Sequence, residues 1–430
     1  MFFQLRFILV VFFISHISLP LMAEDEFSFD LTSYEKKAYE FGGYTELILD
    51  RQWLAQDSAA YQLSSFSTAQ RTILDHQLAT VELTGQYHKS HWQVFLNAHA
   101  IAEHDNVNSS EDIKIYEGLV AYKPEPGFTL ELGKKSLKWG KGYAWNPVGF
   151  VERPKNPEDP DDSREGYNMV TMDFIKSYSG KLKTVAFTPV YLPVTSELNN
   201  DFGRLNYDNV AAKLYFLYND IDIDFTFLSE GSRSYRYGID FAHNITTNFE
   251  VHGEWAYLSD VTKRIIDQTG TVTAEQIAAA QWLLGLRYLT ENDTTIIAEY
   301  YKNEAGYSAE EMTDFFTATD SAYEAANTIL LNQLSLISQQ TYLKRNPGKQ
   351  YLYLRLSNKE PFDWLYLTPA ITVITNLDDQ SYSITPELIY TAIKNLELRL
   401  KASWLSQKKN TEFGEKRSEQ KLEFRLRYYF

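Results

Sequence analysis

Lys421-Leu422-Glu423-Phe424-Arg425-Leu426-Arg427-Tyr428-Tyr429-Phe430 decides the fold. Leu422, Phe424, Leu426, Tyr428 and Phe430 fall on one parity; Lys421, Glu423, Arg425 and Arg427 fall on the other. Successive side chains of a strand point to opposite faces of the sheet. This segment is therefore a strand with one apolar face and one charged face. A charge on a lipid-facing strand position costs about 2 to 4 kcal/mol at the bilayer midplane, so the charged face needs water and the apolar face tolerates hydrocarbon.

The same division recurs upstream. Leu396, Leu398, Leu400, Ala402 and Trp404 oppose Glu397, Arg399, Lys401 and Ser403; Trp282, Leu284, Leu286 and Tyr288 oppose Arg287; Leu352, Leu354 and Leu356 oppose Tyr351, Tyr353 and Arg355. Segments of this kind run from Ala38 to Phe430 and add up to about 18 strands. Loop length sorts by parity. Connections after even strands are short, as at Lys89-Ser90, Pro124 to Gly127, Glu291-Asn292 and Ile393 to Asn395; those after odd strands include Arg51 to Leu74, Lys138 to Asn168, Leu192 to Asp208, Asp260 to Ala279, Lys302 to Lys349 and Gln407 to Gln420. The expected fold is all-β: a transmembrane antiparallel up-and-down β-barrel with short periplasmic turns and long extracellular loops. One loop carries helix. Ser308 with Glu311 forms a capping box, and Leu330, Leu334 and Ile337 recur at helix spacing, so Ser308 to Arg345 reads as helical. Thr273 with Gln276 reads as a shorter helix.

Composition agrees. There is no cysteine, which excludes a disulfide framework and a thiolate site. A net charge of -16 argues against nucleic acid as partner. Mean hydropathy of -0.36 excludes a bundle of apolar spanning helices. Tyr numbers 30 and Trp 8, a surplus that strand-end rings at the lipid headgroup boundary absorb; Tyr44, Tyr87, Trp92, Tyr122, Tyr218, Tyr257 and Trp364 are the candidates. Residues 1–23 hold Arg6, the apolar run Phe7 to Ile14 and a closing Leu21-Met22-Ala23, the pattern of a cleaved secretory signal peptide. Residues 24–37 follow as a periplasmic N-terminal segment and residues 38–430 as the barrel.

The alternating terminal strand with Tyr428 and Phe430 resembles the β-signal of bacterial outer-membrane proteins. That likeness implies a Gram-negative outer membrane, contact with its lipid and lipopolysaccharide, and insertion by the barrel assembly machinery through the last strand. Gly133-Lys134-Lys135-Ser136-Leu137-Lys138-Trp139-Gly140 before Lys141 to Asn168 resembles the region preceding the constriction loop of porins, and also segments of alginate-export-type barrels. The resemblance implies that this third outer loop, with Trp139, Trp145, Arg153 and Arg164, folds back into the lumen.

Inward-pointing charge is segregated by sign. Glu46, Glu82, Glu117, Glu131, Asp173, Asp222, Asp224, Asp240, Glu250 and Glu254 form an acidic wall; Arg287, Arg355, Arg399, Lys401, Arg425 and Arg427 form a basic one. Opposed walls of this kind orient dipolar solutes. The acidic stretch Glu158, Asp159, Asp161, Asp162 and Glu165 reads as a hydrated loop. No GxSxG, HExxH or phosphate-binding loop is present, and neither a cofactor nor a metal site is expected. The expectation is an outer-membrane channel and not an enzyme, a monomer or homo-oligomer passing small polar solutes or ions, its lumen narrowed by the third or seventh loop. The alternatives are an export or uptake barrel for polysaccharide or hydrophobic substrates, and a plugged assembly or scaffold barrel.

Overall fold

In the computed structural model, which describes residues 37–430, one antiparallel sheet of 18 strands closes on itself. The strands are β1 (Tyr39–Leu54), β2 (Ile73–Lys89), β3 (Trp92–Asp105), β4 (Ser109–Glu125), β5 (Phe128–Lys135), β6 (Tyr167–Ser177), β7 (Leu182–Leu192), β8 (Asn209–Tyr218), β9 (Ile221–Leu228), β10 (Arg236–Thr246), β11 (Phe249–Ile266), β12 (Val272–Leu289), β13 (Thr294–Asn303), β14 (Gln350–Asn358), β15 (Leu367–Asn376), β16 (Tyr382–Tyr390), β17 (Leu396–Leu405) and β18 (Ser418–Tyr429). Each pairs with its neighbour in sequence, and β1 pairs with β18 to close the ring. The expected signal peptide and all but the last residue of segment 24–37 lie outside the described residues.

Alternation divides the wall as the sequence requires. On β18, Leu422 and Phe424 face outward while Glu423 and Arg425 are buried inside. Tyr44 is a correction: it shares parity with Glu46 and Ile48, points into the lumen and carries the Arg427 guanidinium 4.4 Å from its ring centroid. Trp92 keeps its expected place, outward and packed on Tyr122 at 4.7 Å.

Two loop readings are also corrected. The segment around Thr273 and Gln276 is strand: β11 and β12 extend far past the expected ends, pairing Ile266 with Val272 and Thr262 with Gln276. Only residues 267–271 turn, where Asp267 accepts from the amides of Thr269 and Thr271 and Gly270 takes φ +84. β-branched Val261, Thr262, Ile265, Ile266, Val272 and Thr273 favour a hairpin once they face each other. The expected long helix is two. Ser308 caps α2 (Ala309–Glu324) through the expected capping box, Ala326 breaks the run at φ +50, and Asn327 caps α3 (Thr328–Ser338). A short α1 (Ala59–Ser65) lies in the first loop. Ala59, Leu63, Ile266, Met312, Phe315, Phe316, Leu331 and Tyr342 bury one another into an apolar cluster on the long-loop rim.

Candidate functional site: the loop across the lumen

Residues 136–166, here L3, join β5 to β6 and run into the barrel. Three wall carboxylates receive the backbone. Glu117 accepts from the Ser136 amide at 2.8 Å. Glu254 accepts from the amides of Lys141 and Gly142, both at 2.6 Å, and of Val148 at 3.2 Å. Glu299 accepts from Tyr143 and from Ala144 at 2.8 Å, and is also bonded by His252 at 2.9 Å. A carboxylate offers several acceptor sites, so one side chain can satisfy a run of loop N–H groups that no strand partner reaches. Close approach needs glycine. Gly140 sits at φ +89, and a Cβ there would lie 2.7 Å from Glu254 Oε1.

The loop also brings its own apolar packing. Trp139, Val148, Phe150 and Val151 are buried against Met169, Val190, Leu192, Leu228 and Ala256 of the wall. Trp145 stacks on Tyr301 with centroids 5.0 Å apart and meets Tyr353 edge-on. Inside the loop, Glu152 takes the Trp139 amide and lies 2.9 Å from Arg164. Burial pushes the Glu152 carboxyl up to about 7 against the pull of Arg164.

The far end reaches the opposite wall. Asp159 lies 2.9 Å from Arg425, 3.7 Å from Arg399 and 3.8 Å from Lys401. Burial disfavours its charge, but Lys401, Arg425 and Arg399 together outweigh that and hold the Asp159 carboxyl below its ordinary range. Asp159 therefore departs from the hydrated-loop reading of the acidic stretch: it is docked on the basic wall.

The sequence-read residues distribute as follows. Of the acidic wall, Asp224 and Asp240 are directly opposite each other in the ladder and meet Lys141 of L3 at 2.7 and 3.8 Å. Glu254 grips L3, as does Glu117. Glu82 pairs with His99 at 2.9 Å, Glu131 with Lys135 and Thr171, Asp173 with Thr188, Asp222 with Tyr215, and Glu250 with His252 at 3.3 Å. Glu46 lies across the closing seam, 2.6 Å from Arg427. Of the basic wall, Arg355 meets Glu387 at 2.8 Å, and Arg399 meets Glu387 and Glu397. Arg287 has no ion pair among the described residues. In L3, Trp139 and Trp145 are anchors, while Arg153 is engaged by Asp201 and Glu165. Tyr428 and Phe430 lie at the end of β18, where Phe430 exchanges backbone bonds with Gly43.

Sequence reasoning missed Glu299, Glu152, Lys141 and Glu387, and named Asp159 without its partners on the basic wall. Glu299 was within reach, since it shares lumen parity with Ile297 and Tyr301. Among the described residues, no cluster of three or more His, Asp or Glu side chains is arranged to hold a metal. A cavity of about 250 Å³ remains beside L3, lined by Ser136, Lys138, Lys155, Asp161, Asp162 and Arg164 among others.

A closed, lipid-faced barrel of 18 antiparallel strands with an inward-folded third loop has the fold of the outer-membrane porin-like barrels. Comparison with solved structures bears this out. The chain is similar to Pseudomonas aeruginosa OccK5 (OpdH) at 12% identity, covering 91% of this chain and 98% of that one with a TM-score of 0.52. It is similar to P. aeruginosa OpdQ at 9% identity, covering 92% and 99% with a TM-score of 0.53. It is also similar to P. aeruginosa OccK2 (OpdF), solved in complex with glucuronate, at 10% identity, 91% and 98% coverage and a TM-score of 0.53. No family model matches the chain, and no curated protein does. At these identities the likeness is one of fold.

Proposed function

We propose that the protein is an outer-membrane channel through which small polar solutes or ions pass passively, narrowed chiefly by L3. The observation that carries this reading is the lumen itself: a loop fixed at both walls, with its own Lys138, Asp161 and Asp162 exposed around a polar cavity of about 250 Å³. Charged groups at a narrowing set which solutes enter and leave. In this reading the pore-lining set is the acidic and basic walls named above, and the short-turn rim faces the periplasm. Export uses the signal peptide at residues 1–23, and the barrel assembly machinery reads Tyr428 and Phe430. The long-loop rim meets lipopolysaccharide, and the protein forms a monomer or homo-oligomer with no catalytic role.

One observation favours a second reading, a plugged scaffold barrel. The apolar cluster of α1, α2 and α3 gathers three loops over the long-loop rim, and the loop before β18 tucks Glu412 and Phe413 inward, where Tyr351 and Asn376 bond Glu412. Planar-bilayer recording separates the two. The channel reading expects discrete conductance steps and a measurable reversal potential in a salt gradient, and swelling of loaded liposomes in small sugar acids such as glucuronate. Folded, heat-modifiable protein that conducts at no voltage would favour the plug.

A further inference from the structure

The short-turn rim is built mostly of small polar turns such as Ser90-His91, Asn219-Asp220 and Thr247-Asn248, with single exposed apolar residues at Tyr178 and Ile393. Residues 359–366, between β14 and β15, read Lys-Glu-Pro-Phe-Asp-Trp-Leu-Tyr. Phe362 is 93% exposed, Trp364 66%, Leu365 62% and Tyr366 51%. Water gives no reason to hold four large apolar side chains out on one turn, and such patches mark interaction sites.

The turn is held in this shape. Glu360, Phe362, Asp363 and Tyr366 all take left-handed φ, between +52 and +66. A bulky residue such as Phe pays for that conformation in strain, of order 1 to 3 kcal/mol. The Glu360 carboxylate accepts from the Tyr366 amide at 2.9 Å, the Glu360 amide donates to Leu367 O at 2.9 Å, and the Thr391 amide of the next turn donates to Tyr366 O at 3.1 Å. The strain serves to project these rings.

A second observation points to what they meet. Beside this turn, on the outward face of β13, β14 and β15, lies a shallow groove of about 280 Å³ lined by Thr294, Leu356, Asn358, Pro369 and Ile371. Leu356 and Ile371 are ladder partners and floor it. The Asn358 amide is drawn aside to Asn292 O and Thr294 Oγ1, at 2.9 and 2.7 Å, which keeps the groove clear at its rim end. Its outward parity makes it continuous with the lipid-facing belt. Trp and Tyr favour the boundary between acyl chains and head groups, and exposed Lys359 at the start of the turn offers a cation for phosphate, with Glu360 engaged by the Tyr366 amide and Asp363 exposed in the same turn.

We propose that the 359–366 turn and the groove beside it bind one phospholipid of the adjoining leaflet, an acyl chain lying along Leu356 and Ile371 and the phosphate meeting Lys359. This rests on the reading of the chain as a membrane-inserted barrel. The test uses the full chain reconstituted into phosphatylethanolamine–phosphatidylglycerol vesicles that carry a lipid brominated on one acyl chain, with Trp364→Phe as the reference that isolates one of the eight tryptophans. The Trp364 component should be quenched by bromine and shielded from iodide. Native mass spectrometry of the protein extracted from those vesicles should find one tightly retained phospholipid, whose retention falls at least several-fold in Leu356→Trp, which fills the groove, and in Lys359→Glu. Inserted protein whose Trp364 is quenched by iodide and indifferent to bromine overturns the site alone, because the turn is then in water. Equal lipid retention by parent and both variants overturns it as well. Protein that never inserts, with no heat-modifiable barrel, overturns the channel reading and the site with it.

Discussion

L3 is fastened at two ends by different chemistry. At the near end, Glu254 and Glu299 receive five backbone N–H groups, and Trp139, Trp145 and Val148 are buried around them. At the far end a single carboxylate, Asp159, meets three cations. Amide donors carry no net charge, so the near end depends on burial and hydrogen bonding, whereas the far end depends on charge held out of water. The near end is therefore a hinge plate and the far end a latch. Segregation of the walls by sign, which in the sequence reads as a field across the pore, is in part the footprint of this loop: Glu117, Asp224, Asp240 and Glu254 on one side and Arg399, Lys401 and Arg425 on the other meet it, while most of the remaining charges pair along the wall.

The largest effect is expected where the near end is broken. Glu254→Ala orphans three loop amides at once, each costing about 1 to 3 kcal/mol when buried and unpaired. L3 should leave the wall, and single-channel conductance should rise several-fold while the barrel still forms; unchanged conductance with faster amide exchange confined to another loop would break the comparison.

A smaller effect is expected from Asp159→Asn. The tip loses its charge and leaves Arg399 and Arg425 with wall carboxylates alone, among them Glu387, Glu397 and Glu423, so ion preference should move toward anions and open-channel noise should increase, with mean conductance changed less than in Glu254→Ala. Because these side chains are only 10 to 16% exposed, the difference between parent and Asn variant should narrow only modestly at about 1 M salt, and the Glu254→Ala difference should persist.

Acid sharpens the contrast further. The Glu152 carboxyl sits near 7, above its ordinary value, so the folded loop binds the extra proton and this group's destabilising contribution falls as pH drops from about 7 toward the ordinary carboxylate range. Asp159 is shifted the other way: its stabilising contribution is present above the ordinary range and lost as pH falls through its lowered value. Amide protection over residues 136–152, after allowance for the slower intrinsic exchange at lower pH, should therefore rise between pH 7.5 and 5, and contacts of the tip should fail only in stronger acid. A tip that loosens already near pH 6 would contradict the assignment. The smallest effect is expected from Trp145→Phe, which trims the stack on Tyr301 and should cost roughly 1 kcal/mol of local stability, read as a modest rise in exchange at residues 143–148.

How much of this was legible follows from what each feature depends on. Alternation at Leu422, Phe424 and Leu426 against Glu423, Arg425 and Arg427 reports a contrast of solvents, and any ten residues carry it. Capping boxes are local too, yet the pattern that held at Ser308 and Glu311 failed at Thr273 and Gln276. There Thr262 lies opposite, bonding Gln276 Oε1 at 3.0 Å, and a cross-strand partner outweighs a helical cap that is worth about 1 kcal/mol. The path of L3 was legible only by resemblance. Its anchors, Glu254 and Glu299, stand more than a hundred positions away along the chain, and nothing in the local pattern of residues 136–166 names them.

The seam between β1 and β18 has a consequence in time. Arg427 and Glu46, which face each other across it, are separated by 381 positions, whereas every other pairing in the sheet joins neighbours in sequence. Formed first, in an otherwise flexible chain, this one junction would cost about 3 kcal/mol more than a hairpin of ten residues, since loop-closure entropy grows by about 0.6 kcal/mol per doubling of length. Seventeen ladders can zip locally and reversibly; the eighteenth has to wait for them all. Until it forms, two strand edges stand open to any other chain, and slow non-local closure with exposed edges is the condition under which sheets aggregate.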